Sequence, residues 1–465
     1  MSRSQDEERE PRSFAETDRL DSDVSLRSSR RAETWSDLKP YVKCLIAANF
    51  ISIICGINDG SLGVIIPRLK SYYNVPNETV SLLFLFNSFG YFLAAGVNGF
   101  VVQKVGQLNA LYIGGCLVLL AYGLLSNGFA FPIQSCIMPL QGAGIAFLDA
   151  GMNVYASGTP MATLMLNILH AMYGIGAMLS PIIGTILLAH DISWRGMYAV
   201  MSVFAVVNVV TIFIGLRNNP VDNADNADDV IEEREGLLSP ENDVESYGRA
   251  SPTPTQDSRV SQPKSDDDLV RRAIMNPMSL LGAAYILVYV GTEVTVGGWG
   301  FTYLTEGRNG EPIQVGQVIA GYWFGLAAGR IILGFITEKF GIKRMISLFT
   351  VMTAVLCLVL WWVDNLAVDY IAIVFIGFAL GPMFPSTIAL ASKVLPRKMH
   401  AAAIGFMAGL GAGGAALFPF LTGLISGKFG ILVMPIVVFV MSLGMQILWT
   451  FVPSDRSKKN ERRGE

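Results

Sequence analysis

Residues 345–363, MISLFTVMTAVLCLVLWWV, are nineteen consecutive residues without Asp, Glu, Lys or Arg. Wound as a helix at about 1.5 Å per residue, such a run crosses roughly 28 Å, close to the ~30 Å hydrocarbon core of a bilayer. Lipid offers no partner to a backbone N–H or C=O, so a segment of this kind must bond internally, as a helix does. The stretch therefore reads as a membrane span.

Eleven further segments read the same way. In the first half they run over approximately 41–66, 79–102, 108–127, 130–156, 163–189 and 196–217. In the second half they run over 276–304, 314–337, 368–392, 401–426 and 431–452, with 345–363 third in that half. Of the 465 residues only 15% are charged, and the mean hydropathy is +0.47. A soluble domain carries about a quarter charged residues, so the composition excludes a soluble enzyme. The charges crowd into 1–39, 218–272 and 454–465. A net charge of -3 averages acidic tails over a neutral core, and leaves no footprint for nucleic acid. The N-terminus lacks an apolar signal core, so the first span is expected to act as the targeting signal. Cys44, Cys55, Cys116, Cys136 and Cys357 all fall inside spans, and no Cys or His pairs stand at ligand spacing in loops. No disulfide framework, metal site or cofactor is expected.

The expected organisation is a disordered cytoplasmic N-terminus (1–40), a six-helix bundle (41–217), a disordered linker (218–272), a second six-helix bundle (273–453) and a short tail (454–465). The linker, with NNPVDNADNADD, SPEND and SPTPTQ, lacks the apolar residues for a core. Six spans, a polar linker and six spans is the layout of the major facilitator fold: an all-α membrane protein of two pseudo-symmetric bundles. The halves echo each other. Gly56–Asp59 has a counterpart in Gly291–Glu293. The Gly-rich run 174–181 matches 411–419, and the turn Gln103–Gln107 matches Glu338–Lys343. Repeats so related build many secondary transporters, with the substrate site between them near mid-membrane. Lys and Arg concentrate in the loops at the linker side (Lys104, Arg217, Arg271, Arg272, Lys339, Lys343, Arg344, Lys393, Arg397, Lys398). The other side holds Arg68, Lys70, Arg195, Arg308 and Lys428. That bias places both termini and the linker in the cytoplasm. Asn77-Glu78-Thr79 is a glycosylation sequon on the outer side, set close against a span.

An ionisable group near the bilayer centre costs about 2.5–3.5 kcal/mol on insertion scales, so each one kept needs a partner, a wet cavity or a proton. The spans keep Asp59, Asp149, His170, Glu293 and Arg330. Asp59 follows Asn58 in a Gly-flanked run, which permits close helix approach; the plain alternative is an Asp at a helix end. Asp149 and Asn153, four apart, share a helix face, where they serve either transport or an interhelical hydrogen bond. His170 is a cavity ligand or a satisfied packing residue. Glu293 and Arg330 form the obvious ion pair, as substrate ligands or as a structural lock. Trp299, Trp323 and Tyr322 offer faces for a sugar ring or serve as packing.

Gly334-Phe-Ile-Thr-Glu-Lys-Phe-Gly-Ile-Lys-Arg344 resembles the signature of the major facilitator superfamily after the second or eighth span. The resemblance implies a gating motif in Gly334, Glu338, Lys339, Gly341, Lys343 and Arg344, whose acid and bases tie neighbouring helices. The first-half copy keeps Gly99, Lys104 and Gly106 but has Gln103 in place of the acid. Asn58-Asp59, Gly144 through Asn153, and Leu166 through His170 are similar to the fucose–proton symporter branch, and 291–300 resembles its fungal members. This likeness implies proton coupling and sugar binding at Asp59 and Asp149 and solute binding at the position of His170; Asn58, Asn153, Glu293, Trp299 and Arg330 are further solute-binding candidates among the residues of the spans. His170 stands where that branch has Gln.

The leading expectation is proton-coupled symport of a small polar solute such as a sugar, by alternating access, in a monomeric carrier. Residues 176–184 partly resemble the antiporter motif of the fifth span, so a drug or metabolite exporter is the alternative. A solute sensor signalling through the linker is a third reading. Within the linker, Glu233, Leu237 and Leu238 fit an acidic dileucine signal for a sorting adaptor, or are a chance match in acidic sequence, so the expected address is the plasma membrane or a vacuolar or endosomal membrane.

Overall fold

The computed structural model describes residues 35–217, 266–396 and 399–453. Twelve helices are long and apolar enough to cross a membrane. In the first half they are α1 (Val42–Tyr73), α2 (Leu82–Val105), α3 (Gln107–Leu125), α4 (Phe131–Ser157), α5 (Ala162–Ala189) and α6 (Arg195–Gly215). In the second they are α7 (Pro277–Thr302), α8 (Pro312–Phe340), α9 (Ile342–Trp362), α10 in two pieces (Leu366–Leu380 and Met383–Val394), α11 (His400–Phe429) and α12 (Met434–Phe451). Two second-half helices start on the same device, a capping side chain followed by Pro. Asn276 accepts from Met278 N and Glu311 from Ile313 N and Gln314 N, ahead of Pro277 and Pro312. Proline at the first helical position gives up an N–H that has no partner there anyway.

The two bundles repeat one packing scheme: α1 lies on α5, α2 on α4 and α3 on α6, as α7 lies on α11, α8 on α10 and α9 on α12. Small residues set these crossings. A Cβ on Gly142 would collide with Asn87 O, and one on Gly414 with Leu287 O. The turns repeat as well. Gly106 between α2 and α3 has φ +84°, and Gly341 between α8 and α9 has φ +98°, a region that L side chains avoid.

The bundles meet along α5–α8, α2–α11 and α1–α7. Away from the 218–265 end the seam is tight. Lys70 pairs with Glu306 at 2.6 Å. A Cβ on Gly63 would collide with Gly297 O, and one on Gly316 with Thr185 Oγ1. Toward the 218–265 end the seam loosens: Gly96, Gly99, Gly405 and Gly409 have nothing within 4 Å of a Cβ position, and Asn167 and His170 are exposed.

Several expectations change in detail. The first span runs on through Pro67 to Tyr73, so Arg68 and Lys70 are helical rather than loop residues. Residues 266–272, read as linker, belong to a helix, Asp266–Ile274, and 35–40 to a 3-10 helix, Trp35–Tyr41. Asn77 of the sequon is only 9% exposed. Glu233, Leu237 and Leu238 lie outside the described residues.

Candidate functional site

Asp59 sits at the crossing of α1 with α5. The crossing is close because Gly56 and Gly60 flank it: a Cβ on Gly56 would overlap Tyr173 O, and one on Gly60 would lie 2.6 Å from Ala177 O. Proximity delivers the Tyr173 hydroxyl, which donates to Asp59 Oδ2 at 2.5 Å. Asn58 Nδ2 donates to Asp59 Oδ1 at 2.9 Å. Asn58 is itself buried, its Oδ1 accepting from Tyr122 Oη at 2.9 Å and Gln141 Nε2 at 2.8 Å. Helix α5 thus reaches the carboxylate directly through Tyr173, and α3 and α4 hold the Asn58 that bonds it, all through neutral groups.

Asp149 is held in the same manner. Tyr91 of α2 donates to Oδ2 at 2.9 Å, and Asn153, one turn on, donates to Oδ1 at 3.3 Å and to the Asp149 carbonyl at 2.9 Å. Among the described residues neither aspartate has an ion-pair partner. Asp149 and Glu293 both lie within electrostatic reach of Asp59.

In the second half Glu293 is 5% exposed, and its Oε1 lies 3.2 Å from Arg330 Nη2. Tyr322 Oη donates to the Glu293 carbonyl at 2.8 Å, fixing α7 on α8 beside the pair. The Arg330 guanidinium stands over the Tyr173 ring, 5.8 Å from its centroid. Tyr173 therefore touches the acid of one half with its hydroxyl and the base of the other with its face. His170, one turn before it on α5, is exposed and within electrostatic reach of Arg330.

The structure thus brings Asn58, Asp59, Asp149, Asn153, His170, Glu293 and Arg330 to one region around the seam. Trp299 is not among them. It is fully buried, its Nε1 donating to Pro419 O at 2.9 Å and its ring 6.1 Å from that of Phe84. Trp323 and Tyr322 are likewise buried, with Trp323 filling the space left by Gly297. Trp299 packs at the seam and Trp323 and Tyr322 inside the second bundle, and none offers an open face. The expected gating motif also behaves differently. Glu338 is exposed and makes no ion pair among the described residues, while Lys339 lies over Phe340. Lys343 does the tying: its Nζ donates to Trp449 O and, at 2.6 Å, to Val452 O, closing the C-terminus of α12. A cation there meets the negative end of the helix.

Sequence reasoning missed Tyr173, Tyr91, Tyr122 and Gln141. It also passed over Asp369, fully buried in the first turn of α10 and 3.1 Å from Arg308 Nε.

Two six-helix bundles with an acid-rich seam between them make this a polytopic membrane transporter. The chain belongs to the Major Facilitator Superfamily, whose profile matches residues 48–304 and 281–465; family and fold are those of non-enzymatic carriers. It is 26% identical over 428 residues to Bypass of stop codon protein 6 of Saccharomyces cerevisiae, covering 89% of this chain and 83% of that one. It is 22% identical over 379 residues to the Protein TsgA homolog of Serratia proteamaculans, covering 79% and 84%. Among solved structures it superposes on a D-xylose-proton symporter with a TM-score of 0.70 at 12% identity, covering 89% of this chain and 98% of that one. A point mutant of the nucleoside transporter NupG gives 0.66 at 10% identity, covering 87% and 98%. At such identities these two likenesses show the fold.

Proposed function

We propose that this chain is a proton-coupled symporter of a small polar solute, such as a sugar, working by alternating access. The carrying observation is that Asp59 and Asp149 sit at the seam with hydroxyl and amide donors only. A carboxyl group with a cation beside it stays ionised, and one without is free to take up and release a proton as its surroundings change. Glu293 and Arg330 neutralise each other, so the proton traffic falls to Asp59 and Asp149. The solute binds between the bundles against Asn153, His170 and the Glu293–Arg330 pair, reached from the loosely packed end of the seam, toward 218–265.

That end is the cytoplasmic one in this reading. Its basic residues are the more numerous, and those at the opposite end are mostly engaged. Arg68 donates to Ile192 O at 2.7 Å, Lys70 pairs with Glu306, Arg195 bonds the Tyr72 hydroxyl, and Arg308 pairs with Asp364 at 2.5 Å. The Gly-rich stretch 176–184 is spent on packing, with Gly176 set against Ile53 O and Gly184 against Val64. That use explains its glycines without an export mechanism.

The test is uptake into proteoliposomes under an inward proton gradient, screened over labelled monosaccharides, polyols and nucleosides. A solute that accumulates with the gradient, and stops doing so when the gradient is collapsed, supports the reading. Asp59→Asn and Asp149→Asn should each abolish accumulation while leaving the protein inserted. Undiminished uphill transport in both variants would remove the coupling role.

A further inference from the structure

Tyr173 bridges the two bundles. It lies on α5, the helix of the first bundle that packs on α8 of the second. Its hydroxyl donates to Asp59 Oδ2 at 2.5 Å, and its ring lies beneath the Arg330 guanidinium at 5.8 Å, while Arg330 holds Glu293 at 3.2 Å. The next residue, Gly174, faces Ala327 of α8, where an added Cβ would come within 2.7 Å of the Ala327 Cβ. The tyrosine is thereby fixed where the bundles touch. We propose that Tyr173 is the positioning residue that transmits the protonation state of Asp59 to the Arg330–Glu293 pair, and so to the opening of the seam.

The physical sense is direct. An ionised Asp59 accepts the tyrosine hydroxyl in a charge-assisted bond, which pins the ring in one orientation. In that orientation the ring face is presented to Arg330, and a cation over an aromatic face is attracted by the ring quadrupole. Protonated Asp59 is a weaker acceptor, so the ring is released and the contact across the seam weakens. Both arms are short-range, so the signal needs no long path. The proposal rests on the proton-coupled reading above.

The groups around Asp59 allow this role. Facing it are Tyr173 on α5, Asp149 on α4, Glu293 on α7, Tyr122 on α3, Tyr91 on α2 and Cys55 on its own helix. Of these only Tyr173 is in contact with both Asp59 and a group of the other bundle.

The test needs no solute. Nitroxides at Ser157 and Lys393, exposed positions on the two bundles at the 218–265 end, report the opening of the seam in proteoliposomes. Cys116 and Cys136, the exposed cysteines, are replaced by alanine. Electron-spin distance distributions are recorded from pH 5 to pH 9. In the otherwise native chain the two-state population should titrate, and Asp59→Asn should flatten the curve. Tyr173→Phe keeps the ring and loses only the hydroxyl. With no hydroxyl for Asp59 to hold, the ring is released at every pH, so the amplitude of the curve should fall toward that of Asp59→Asn. Tyr173→Leu removes the ring as well and should lose the amplitude likewise. If the native chain titrates and Asp59→Asn flattens it, yet Tyr173→Phe titrates with the native amplitude, Tyr173 is not the transmitter and the proton reading stands. A native chain with no pH response overturns both. Should Tyr173→Leu fail to fold, Tyr173→Phe decides alone.

Discussion

Glu293 and Arg330 face each other with little water to screen them, their side chains 7% and 15% exposed. Desolvating two charges offsets much of their attraction, so the pair contributes little net stability, but removing one partner strands the other at roughly 3–5 kcal/mol in soluble proteins. Glu293→Gln or Arg330→Ala alone should therefore lower folded yield by size exclusion more than the double replacement does. Additive losses would mean the two do not act as a pair. These residues were legible beforehand because a charge inside an apolar run is expensive and stands out. Asp59 and Asp149 were legible for the same reason. Tyr173, Tyr91 and Tyr122 send no such signal, because tyrosine is common in membrane helices and its use depends on a partner from another helix. Trp299 misled in the opposite direction. Beside Gly297 and Gly298 it reads as a platform for a ring, yet those glycines are where Trp323 and Phe84 press in.

Helix existence followed from apolar runs, while helix ends followed from contacts that a single sequence does not display. The first span was expected to stop at 66, ahead of Pro67, Arg68 and Lys70. It continues to Tyr73 because Arg68 reaches Ile192 O and Lys70 reaches Glu306, so both charges are satisfied on the helix. Lys343 looked like part of a charge motif between α8 and α9, and in fact closes the far end of α12. Glycine recurrence was visible, but not which glycines are crossings. Gly414 is buried with α7 pressed against it at Leu287 O, and Gly405 on the same helix is exposed with nothing within 4 Å. An alanine at an open helical site gains up to about 1 kcal/mol in propensity, whereas an overpacked crossing loses about 1–3 kcal/mol. Gly405→Ala should thus leave thermal stability in detergent unchanged or raised, and Gly414→Ala should lower it. Equal behaviour of the two would show that α7 and α11 do not cross as closely as described.

The two bundles pack tightly at one end and loosely at the other, an asymmetry that fits one of the two conformations of the proposed alternating access. Backbone-level packing at Gly63 and Gly316 and the Lys70–Glu306 pair hold the closed end. The pair is the part that charge can address. Its side chains are 16% and 38% exposed, which puts its worth at about 1 kcal/mol or less. That is too little to hold a fold, and enough to matter between two states separated by a few kcal/mol, where 1 kcal/mol changes a population ratio about five-fold. Lys70→Glu replaces the attraction by repulsion and should shift the ensemble toward opening at this end. Glu306→Lys should do the same, and the two together should restore closure with the charges exchanged. Nitroxides at Ala130 and Ala367, exposed on opposite bundles at the closed end, would read the change as a longer distance component in each single variant. Because surface pairs are screened by salt, the shift in the single variants should also shrink as ionic strength rises. A reversed double variant that stays as open as either single one would mean that the glycine packing alone closes this end.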